Sequence, residues 1–281
     1  MNYKFKRKYG FNVNNQHPED HFEYASSHGL HHIEINLSQE QSSLKTFPTD
    51  RISKLRELSH SHNIKLSLHV PYYINISEIL LHIRISNINY LLKCVQIASE
   101  LKATHITLHV GSFYWFPVEL WMRKKALKRF VKNLRKILKV CEEKNVIIAL
   151  ENVVPIPNGS EYYLLGDNVE DFKIIFSSIG SRCLKFCLDT GHANMGEGVI
   201  EYVNNFHDKL SCIHYHDNNG FNDEHLPIGK GKVPWEELVE ELINIKYQGP
   251  LISECRNIEA HESAHLFDNY FESYLNEQNQ T

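Results

Sequence analysis

Six short apolar runs follow one another along this chain. Five of them end in a histidine or in a residue with a carboxylate side chain, and the sixth contains a histidine. These residues are His69, His109, Glu151, Asp189, His214 and Glu254. Imidazole nitrogens and carboxylate oxygens are ligands of Zn²⁺, Mn²⁺, Fe²⁺ and Co²⁺, and no thiolate joins this set. A single residue of this kind is better explained as a satisfied polar group at a strand end. Six in succession predict an open site for one or more divalent metal ions.

A second group of ligand-type residues follows the run that contains His214. Asp223 and His225 stand two residues apart in a loop, so both side chains are able to reach one ion. Glycines close by allow tight backbone turns beside them. His216 lies two residues after His214 and points to the same side of an extended strand, so it is a further candidate for the site.

These residues stand within a regular alternation of strands and helices. The β-rich runs are Lys8–Val13, His32–Asn36, Lys65–His69, His105–His109, Ile147–Glu151, Lys185–Asp189, Ser211–His216 and Leu251–Glu254. The helical stretches are Pro18–His28, Asp50–His62, Ser77–Leu101, Pro117–Lys144, Asn168–Ile179, Val199–Phe206, Pro234–Ile245 and Glu259–Leu275. Eight such units predict an α/β fold, a (β/α)8 TIM barrel in a single domain over residues 1–281. In that barrel the carboxyl ends of the strands converge on one face.

The composition excludes several classes of protein. The chain has 281 residues, 42% of them hydrophobic and 23% charged, which is ordinary for a globular protein and unlike a disordered or collagen-like chain. A net charge of −4 argues against nucleic-acid binding through bulk charge. We expect no membrane span, no secretory signal and a cytoplasmic location, with the six cysteines as reduced thiols, because they form no CxxC pair.

The motifs at the strand ends resemble those of the xylose isomerase-like TIM-barrel superfamily, which holds sugar and sugar-phosphate isomerases and epimerases and also endonuclease IV. The matching pieces are His69-Val70-Pro71-Tyr72, His109-Val110-Gly111, Glu151-Asn152, Asp189-Thr190-Gly191-His192, His214-Tyr215-His216-Asp217-Asn218, Asp223-Glu224-His225, Gly229-Lys230-Gly231 and Glu254. They span about the region from His69 to Glu254.

The resemblance to the epimerases implies one divalent ion (Zn, Mn, Co or Mg). Its implied ligands are Glu151, Asp189, His214 and Glu254. Glu151 and Glu254 are implied to transfer a proton on opposite faces of the substrate. His192 is implied to contact substrate or to bind a second metal. His214 is preferred to His216 as the ligand because it precedes Asp217 by three residues, as in the family's His-x-x-Asp, and His216 stays the alternative.

The resemblance to endonuclease IV implies two to three zinc ions. Its implied ligands are His69, His109, Glu151, Asp189, His192, His214, Asp223, His225 and Glu254. The chain departs from that enzyme at His109-Val110-Gly111, where the family has His-Pro-Gly, and at Gly191, where it has cysteine. We therefore favour a metal-dependent isomerase or epimerase of a sugar, sugar phosphate or related polyol. A zinc-dependent phosphodiesterase is the alternative, and a non-catalytic binding barrel is the third interpretation.

The partner expected under the favoured interpretation is a small sugar or sugar phosphate. A nucleic acid partner is expected only under the alternative, the phosphodiesterase. Both interpretations are compatible with a homo-oligomer. Lys230 and Arg256 stand beside ligand-type residues and suit a phosphate or a sugar hydroxyl. Trp115, in an aromatic run after the fourth strand, suits stacking on a sugar or a base, closing over the site, or binding a partner. Glu34 either lines the pocket or forms a structural ion pair.

One predicted helix is strongly basic, with nine lysine and arginine residues and no acid between residues 123 and 139. This pattern suits either a surface that tracks phosphates or a solvated outer helix face. The second interpretation is favoured, because barrel helices lie on the outside and Leu127, Phe130, Leu134 and Leu138 supply a buried stripe.

Overall fold

Eight parallel strands close into a barrel in this computed structural model, which describes residues 7–14, 16–114, 120–157 and 159–278. The strands along the chain are β1 (Tyr9–Val13), β2 (His32–Asn36), β3 (Lys65–His69), β4 (Ile106–His109), β5 (Gly111–Tyr114), β6 (Ile148–Glu151), β7 (Tyr162–Leu165), β8 (Leu184–Asp189), β9 (Leu210–Tyr215) and β10 (Leu251–Ser253). Around the barrel the order is β1, β2, β3, β4, β6, β8, β9 and β10, and β10 pairs with β1 to close it. Because the eight barrel strands are parallel, their carboxyl ends all lie at the same end of the barrel.

Helices cover the outside of the barrel. They are α1 (Phe22–Ser27), α2 (Thr49–Ser61), α3 (Leu81–Leu101), α4 (Leu120–Lys144), α5 (Val169–Ser178), α6 (Thr190–Met195), α7 (Val199–Phe206), α8 (Trp235–Asn244) and α9 (Ala260–Gln278). This architecture confirms the predicted single-domain (β/α)8 barrel. Each of the eight predicted barrel strands is present, with either end shifted by at most one residue.

Several elements differ from the sequence expectations, among them the first helix, whose α-helical part begins at Phe22 and not at Pro18. Helix α3 begins at Leu81 and not at Ser77, because the Asn75 side chain accepts hydrogen bonds from the Ser77 backbone N–H and hydroxyl at 3.0 and 2.6 Å and forms a turn there. Helix α6 and the antiparallel pair β5–β7 were not predicted. The expected start of the fourth helix at Pro117 lies outside the described residues.

The β5–β7 pair stands on the face where the barrel strands end, since β5 follows β4 after one residue. The Phe113 and Tyr163 rings stack across the pair with centroids 5.8 Å apart, and the Tyr114 and Tyr162 rings lie 5.9 Å apart. This small sheet therefore extends one wall of the barrel mouth.

Helix α4 places its apolar stripe inward. Its buried side chains include Leu127, Phe130, Leu134 and Leu138. The exposed basic side chains are Lys124, Lys125, Lys128, Lys132, Arg135, Lys136 and Lys139. Arg123 instead forms ion pairs with Asp167 and Asp171, which tie α4 to α5 and to the turn before it.

All six cysteines are free thiols in this structure, and five of them are buried. None of the helices within the described residues combines the length and the apolar character that a membrane crossing requires.

Candidate metal centre and active site

The ligand-type residues converge at the carboxyl ends of the barrel strands. His69, His109, Glu151 and Asp189 are the last residues of β3, β4, β6 and β8. His214 is in β9, and Glu254 directly follows β10. Parallel pairing places Glu151 beside His109 and Asp189 beside His214 in the strand register. The barrel therefore brings together residues that are up to 185 positions apart in sequence (His69 to Glu254).

Glu151 and His214 form the centre of an inner cluster. The Nδ1 atom of His214 lies 3.0 Å from Glu151 Oε1 and 3.2 Å from Glu254 Oε1. The other Glu151 oxygen lies 3.1 Å from His69 Nε2 and 2.9 Å from His109 Nε2. Glu151 and His214 are almost completely removed from solvent. The two carboxylates thus approach one imidazole nitrogen from β6 and from the end of β10.

Neighbouring charges shift the pKa values of the ionisable groups in the inner cluster. Burial alone raises the pKa of the Glu151 carboxyl, but the charges of His214, His109 and His69 outweigh it and hold that pKa well below its ordinary value. For His69, burial lowers the pKa, but Glu151 more than compensates and raises it to about 9. Glu151 is therefore held as a carboxylate by the imidazoles that surround it.

Asp189 belongs to an outer cluster. Its Oδ1 atom lies 3.0 Å from His216 Nε2 and accepts a hydrogen bond from the backbone N–H of His192 at 2.7 Å, which caps α6. Asp223 lies 3.0 Å from His225 Nε2 and 3.7 Å from His192 Nε2. The His216 and His225 rings stack with centroids 3.9 Å apart.

In the outer cluster, too, carboxylates raise the pKa of an imidazole and imidazoles lower the pKa of a carboxyl. Burial lowers the pKa of His192, but Asp189 and then Asp223 more than compensate and raise it to about 10. Burial raises the pKa of Asp189, yet His192 and His216 together lower it below its ordinary value. Both clusters are therefore alternating arrays of carboxylate and imidazole.

The structure divides the four residues implied for a single ion between the two clusters. Glu151, His214 and Glu254 meet in the inner one, whereas Asp189 faces His216 in the outer one. The alternatives His214 and His216 are both inside the site, each with its own carboxylate partners.

The donor atoms fit divalent metal ions. Within each of several groups, one ligand atom from every member lies within 4.8 Å of the others. These groups include His69–His109–Glu151, Glu34–His69–His214–Glu254, Asp189–His192–His216 and His216–Asp223–His225. His216 Nδ1 and Asp223 Oδ1 are buried and lack a hydrogen-bond partner among the described residues. Nitrogen and oxygen donors of this kind suit Zn²⁺ and Mn²⁺.

Glu34 is a fully buried carboxylate beneath the inner cluster. It accepts hydrogen bonds from the Ser67 hydroxyl at 3.0 Å, the Thr107 hydroxyl at 3.0 Å and the Asn12 amide at 3.1 Å. Its Oε2 atom lies 3.0 Å from His214 Nε2. Glu34 thus lines the site from below and holds the far side of the His214 ring.

Two supporting residues stand in the sequence motifs, but sequence reasoning assigned them no role in holding the site. Asn152 exchanges two hydrogen bonds with the Asp189 backbone at 2.8 and 2.9 Å. Asp217 accepts from the backbone N–H groups of Gly229 and Val233 and from the Trp235 indole, which pins the loop that carries Asp223 and His225. Polar residues in otherwise apolar strand ends were the available signal.

Gly191 makes room for the outer cluster. A Cβ atom at this position would stand 1.9 Å from His216 Cε1, so any larger residue must displace the imidazole. The glycine in the Asp-Thr-Gly-His motif is therefore required by the close approach of a side chain.

Two of the residues expected to contact substrate lie at the protein surface. Lys230 and Arg256 are exposed, and the Arg256 backbone N–H donates to the His225 carbonyl at 2.8 Å. Trp115 lies outside the described residues. A cavity of about 730 Å³ has Phe113, Tyr163 and Phe221 in its walls, and these walls include no residue of the inner or the outer cluster.

Comparisons with known proteins identify the family of this chain. A family model described as xylose isomerase-like TIM barrel matches residues 22–270. An uncharacterized protein of Methanocaldococcus jannaschii is 29% identical over 79% of this chain and 75% of its own length. A D-psicose 3-epimerase of Enterocloster bolteae is 31% identical over 55% of this chain and 49% of its own length.

Among solved structures, a D-tagatose 3-epimerase-like protein superposes with a TM-score of 0.83. It is 26% identical, and the match covers 96% of this chain and 99% of that one. The closed eight-strand barrel and the match over residues 22–270 lead to one conclusion. The chain belongs to the xylose isomerase-like TIM-barrel family.

Proposed function

We propose that this protein is a divalent-metal-dependent epimerase or isomerase of a sugar, a sugar phosphate or a related polyol. The observation that carries the proposal is the pair of carboxylates of Glu151 and Glu254, which approach His214 Nδ1 at 3.0 and 3.2 Å. Similarity to proteins named D-psicose 3-epimerase and D-tagatose 3-epimerase-like protein supports a ketose as substrate.

The proposed ligands of a single ion are Glu151, Asp189, His214 and Glu254, with Zn, Mn, Co or Mg as the candidate metals. Asp189 is beside His214 in the strand register, and its carboxylate would have to turn away from His216 to join the other three. When bound, the ion polarises the substrate carbonyl and makes the neighbouring C–H bond more acidic. Because the ligands are one carboxylate-rich set without thiolate, the site tolerates several of these ions.

Glu151 and Glu254 are the proposed proton carriers. One carboxylate removes the proton from the carbon next to the carbonyl, and the other returns a proton to the opposite face, so configuration inverts without a change in composition. The low pKa of Glu151 keeps its carboxyl ionised and ready to accept. Glu151 is buried and the Glu254 side chain is only 15% exposed, which limits access of water to the reacting carbon.

The remaining polar residues orient the substrate in this proposal. His192 and His216 present imidazoles on the Asp189 side of the site, where hydroxyl groups are suitable partners. Lys230, Arg256 and Trp115 are proposed as contacts of the distal part of the substrate.

Exchange with solvent tests the proposal. The purified protein, loaded in turn with Mn²⁺, Co²⁺, Zn²⁺ and Mg²⁺, is incubated in D₂O with a panel of ketoses and ketose phosphates. We expect deuterium at the carbon next to the carbonyl together with an epimer. Glu151→Gln and Glu254→Gln are expected to lower the rate at least 10³-fold, on the scale of losing a general acid–base group. Glu237→Gln on exposed α8 is the control, and activity retained by Glu151→Gln contradicts the mechanism.

A zinc-dependent phosphodiesterase is the second candidate function. The observation that favours it is the placement of Glu151 and Asp189 in two separate clusters, whose members together include all nine endonuclease IV-type ligands. Such a site suits two to three zinc ions and a nucleic acid substrate. Metal analysis of the protein together with cleavage of abasic-site duplex DNA tests it, and one ion per chain without DNA cleavage refutes it.

A further inference from the structure

Three of the chain's 18 histidines lie together on the outside of the barrel and belong to neither cluster described above. His28 directly follows α1, whereas His261 and His265 are in α9. Helices α1 and α9 follow β1 and β10, the two strands whose pairing closes the barrel. This group, here called the histidine triplet, therefore spans the seam between the first and the last unit of the barrel.

The rings of the histidine triplet are close enough to share one metal ion. The His28 and His261 ring centroids lie 4.3 Å apart, and the ring planes are inclined by 37°. Two imidazoles that bind one ion through nitrogen at about 2.0–2.1 Å have centroids roughly 4.5–5 Å apart. The His265 centroid is 6.4 Å from that of His261, four residues earlier on the same side of α9. Because His265 is exposed, its side chain is able to turn toward the same point.

A hydrogen bond at Nδ1 determines which nitrogen of His28 is able to bind a metal. This Nδ1 atom lies 2.9 Å from the backbone carbonyl oxygen of Tyr24. A carbonyl oxygen only accepts hydrogen bonds, so Nδ1 carries the proton in the neutral ring. The lone pair is therefore on Nε2, the nitrogen that the backbone does not engage.

The Tyr24 phenol has the same effect on His261. The Nδ1 atom of His261 lies 3.0 Å from the phenol oxygen, and that hydroxyl donates to the Glu259 carboxylate at 3.3 Å. The phenol has a single proton, and the charged carboxylate is its stronger acceptor. Nδ1 of His261 is then the donor to the phenol oxygen, which leaves the lone pair on Nε2. An acceptor on the other ring nitrogen is the arrangement that orients metal-binding histidines.

Tyr24 also fixes the positions of the two rings. Its ring centroid lies 4.6 Å from that of His28 and 5.9 Å from that of His261, and its oxygen accepts from the His261 backbone N–H at 3.3 Å. The Phe11 ring of β1 packs edge-on against Tyr24 at 5.7 Å. Tyr24 thus joins the barrel wall to a residue 237 positions away along the chain. Ligands that are ordered beforehand lower the entropic cost of binding.

The donor atoms decide the class of ion. Imidazole nitrogens without thiolate suit Zn²⁺, Ni²⁺ and Cu²⁺. Mg²⁺ and Ca²⁺ require sets rich in oxygen, which three imidazoles do not supply. The histidine triplet therefore differs in preference from the carboxylate-rich clusters inside the barrel mouth.

We propose that the histidine triplet binds one divalent transition-metal ion of the Zn²⁺, Ni²⁺ and Cu²⁺ class. Its ligands are Nε2 of His28, Nε2 of His261 and an imidazole nitrogen of His265. The ion links α1 to α9 and so clamps the seam of the barrel, where the two ends of the fold meet. The inference does not depend on which reaction the active site performs, because the two sites share no residue.

Equilibrium dialysis of the untagged full chain against buffered Zn²⁺ at pH 7.5 tests the proposal, with bound metal counted by mass spectrometry. At low micromolar free Zn²⁺ we expect the wild type to bind one more ion per chain than His28→Gln/His261→Gln, whose count is that of the active site alone. Tyr24→Phe keeps the aromatic ring but lacks the hydroxyl, and should weaken binding of this ion by about 10- to 100-fold. His60→Asn, at an exposed histidine of α2, is the control and should bind as many ions as the wild type.

Three results overturn the proposal. They are equal metal counts for the wild type and the double variant, an adventitious ion only, which appears at millimolar Zn²⁺, and a Tyr24→Phe variant that binds the additional ion as tightly as the wild type. If the double variant does not fold, labelling of the wild type with diethyl pyrocarbonate decides. Zn²⁺ must protect His28 and His261 from this imidazole reagent while His60 stays reactive, and equal labelling with and without Zn²⁺ also refutes the site.

Discussion

Replacing Glu34 by glutamine removes one negative charge from beneath His214 and leaves the side-chain volume almost unchanged. In the native protein, burial raises the pKa of the Glu34 carboxyl, but His214 outweighs it, so the pKa lies well below its ordinary value. For His214, burial lowers the pKa, and Glu34 is the largest contribution that raises it. The two groups therefore stabilise each other's charged or polarised forms.

The size of the effect follows from their separation. At 3.0 Å and an effective dielectric constant of about 20, the Coulomb energy is about 5.5 kcal/mol, and desolvation offsets a large part of it. Carboxylates that orient a metal-ligating histidine typically contribute 10- to 100-fold in metal affinity, or about 1.4–2.8 kcal/mol. We expect Glu34→Gln to weaken Mn²⁺ and Zn²⁺ binding by this factor.

The assay is competition with a chromophoric chelator for the metal at pH 7.5, with folding followed separately by circular dichroism. Glu100→Gln on the exposed face of α3 is the matched control and should bind the metal like the wild type. A folded Glu34→Gln protein whose metal affinity stays within twofold of the wild type would show that Glu34 neither orients nor polarises His214.

Three further predictions concern stability and packing. In the metal-free protein, His69 and His192 have folded pKa values of about 9 and about 10 against an ordinary 6.5. Their stabilisation is complete below pH 6.5 and lost above pH 9–10, so Tm by calorimetry should fall across this range while metal affinity rises. Gly191→Ala should displace His216, because its Cβ would stand 1.9 Å from Cε1, and a loss of metal stoichiometry or affinity by titration checks this. Asp217→Ala leaves four donors without this carboxylate, namely the backbone N–H groups of Asn218, Gly229 and Val233 and the Trp235 indole, and should lower the free energy of unfolding in urea by about 3 kcal/mol; a loss under 1 kcal/mol contradicts this role.

The barrel and the membership of the site were accessible from sequence because both depend on local patterns. Each strand is a short apolar run, and each closing residue, such as His69 or Glu151, is next to the run that positions it. The parallel order of the strands then brings these ends together without further information. The residue that ends each apolar run in the sequence is therefore also the residue at that strand end in the barrel.

The division of the site into an inner and an outer cluster could not be predicted from the sequence. Whether Asp189 faces His214 or His216 depends on rotamers and on the distance across the barrel, and both histidines point to the same side of β9. The β5–β7 pair joins segments about 50 residues apart without a hairpin turn between them, so no local turn signal marks it.

The hydrogen bonds inside the barrel also constrain how this sequence can change. The His32 imidazole lies 2.9 Å from the Ser67 hydroxyl, which donates to Glu34, and the Thr107 hydroxyl donates to the same carboxylate oxygen. A single aliphatic replacement at any of these positions leaves a buried partner unsatisfied. Substitutions here are therefore strongly epistatic. A laboratory or natural lineage that converts this layer to an apolar one must change the residues of β2, β3 and β4 together, and in doing so it loses the carboxylate beneath His214.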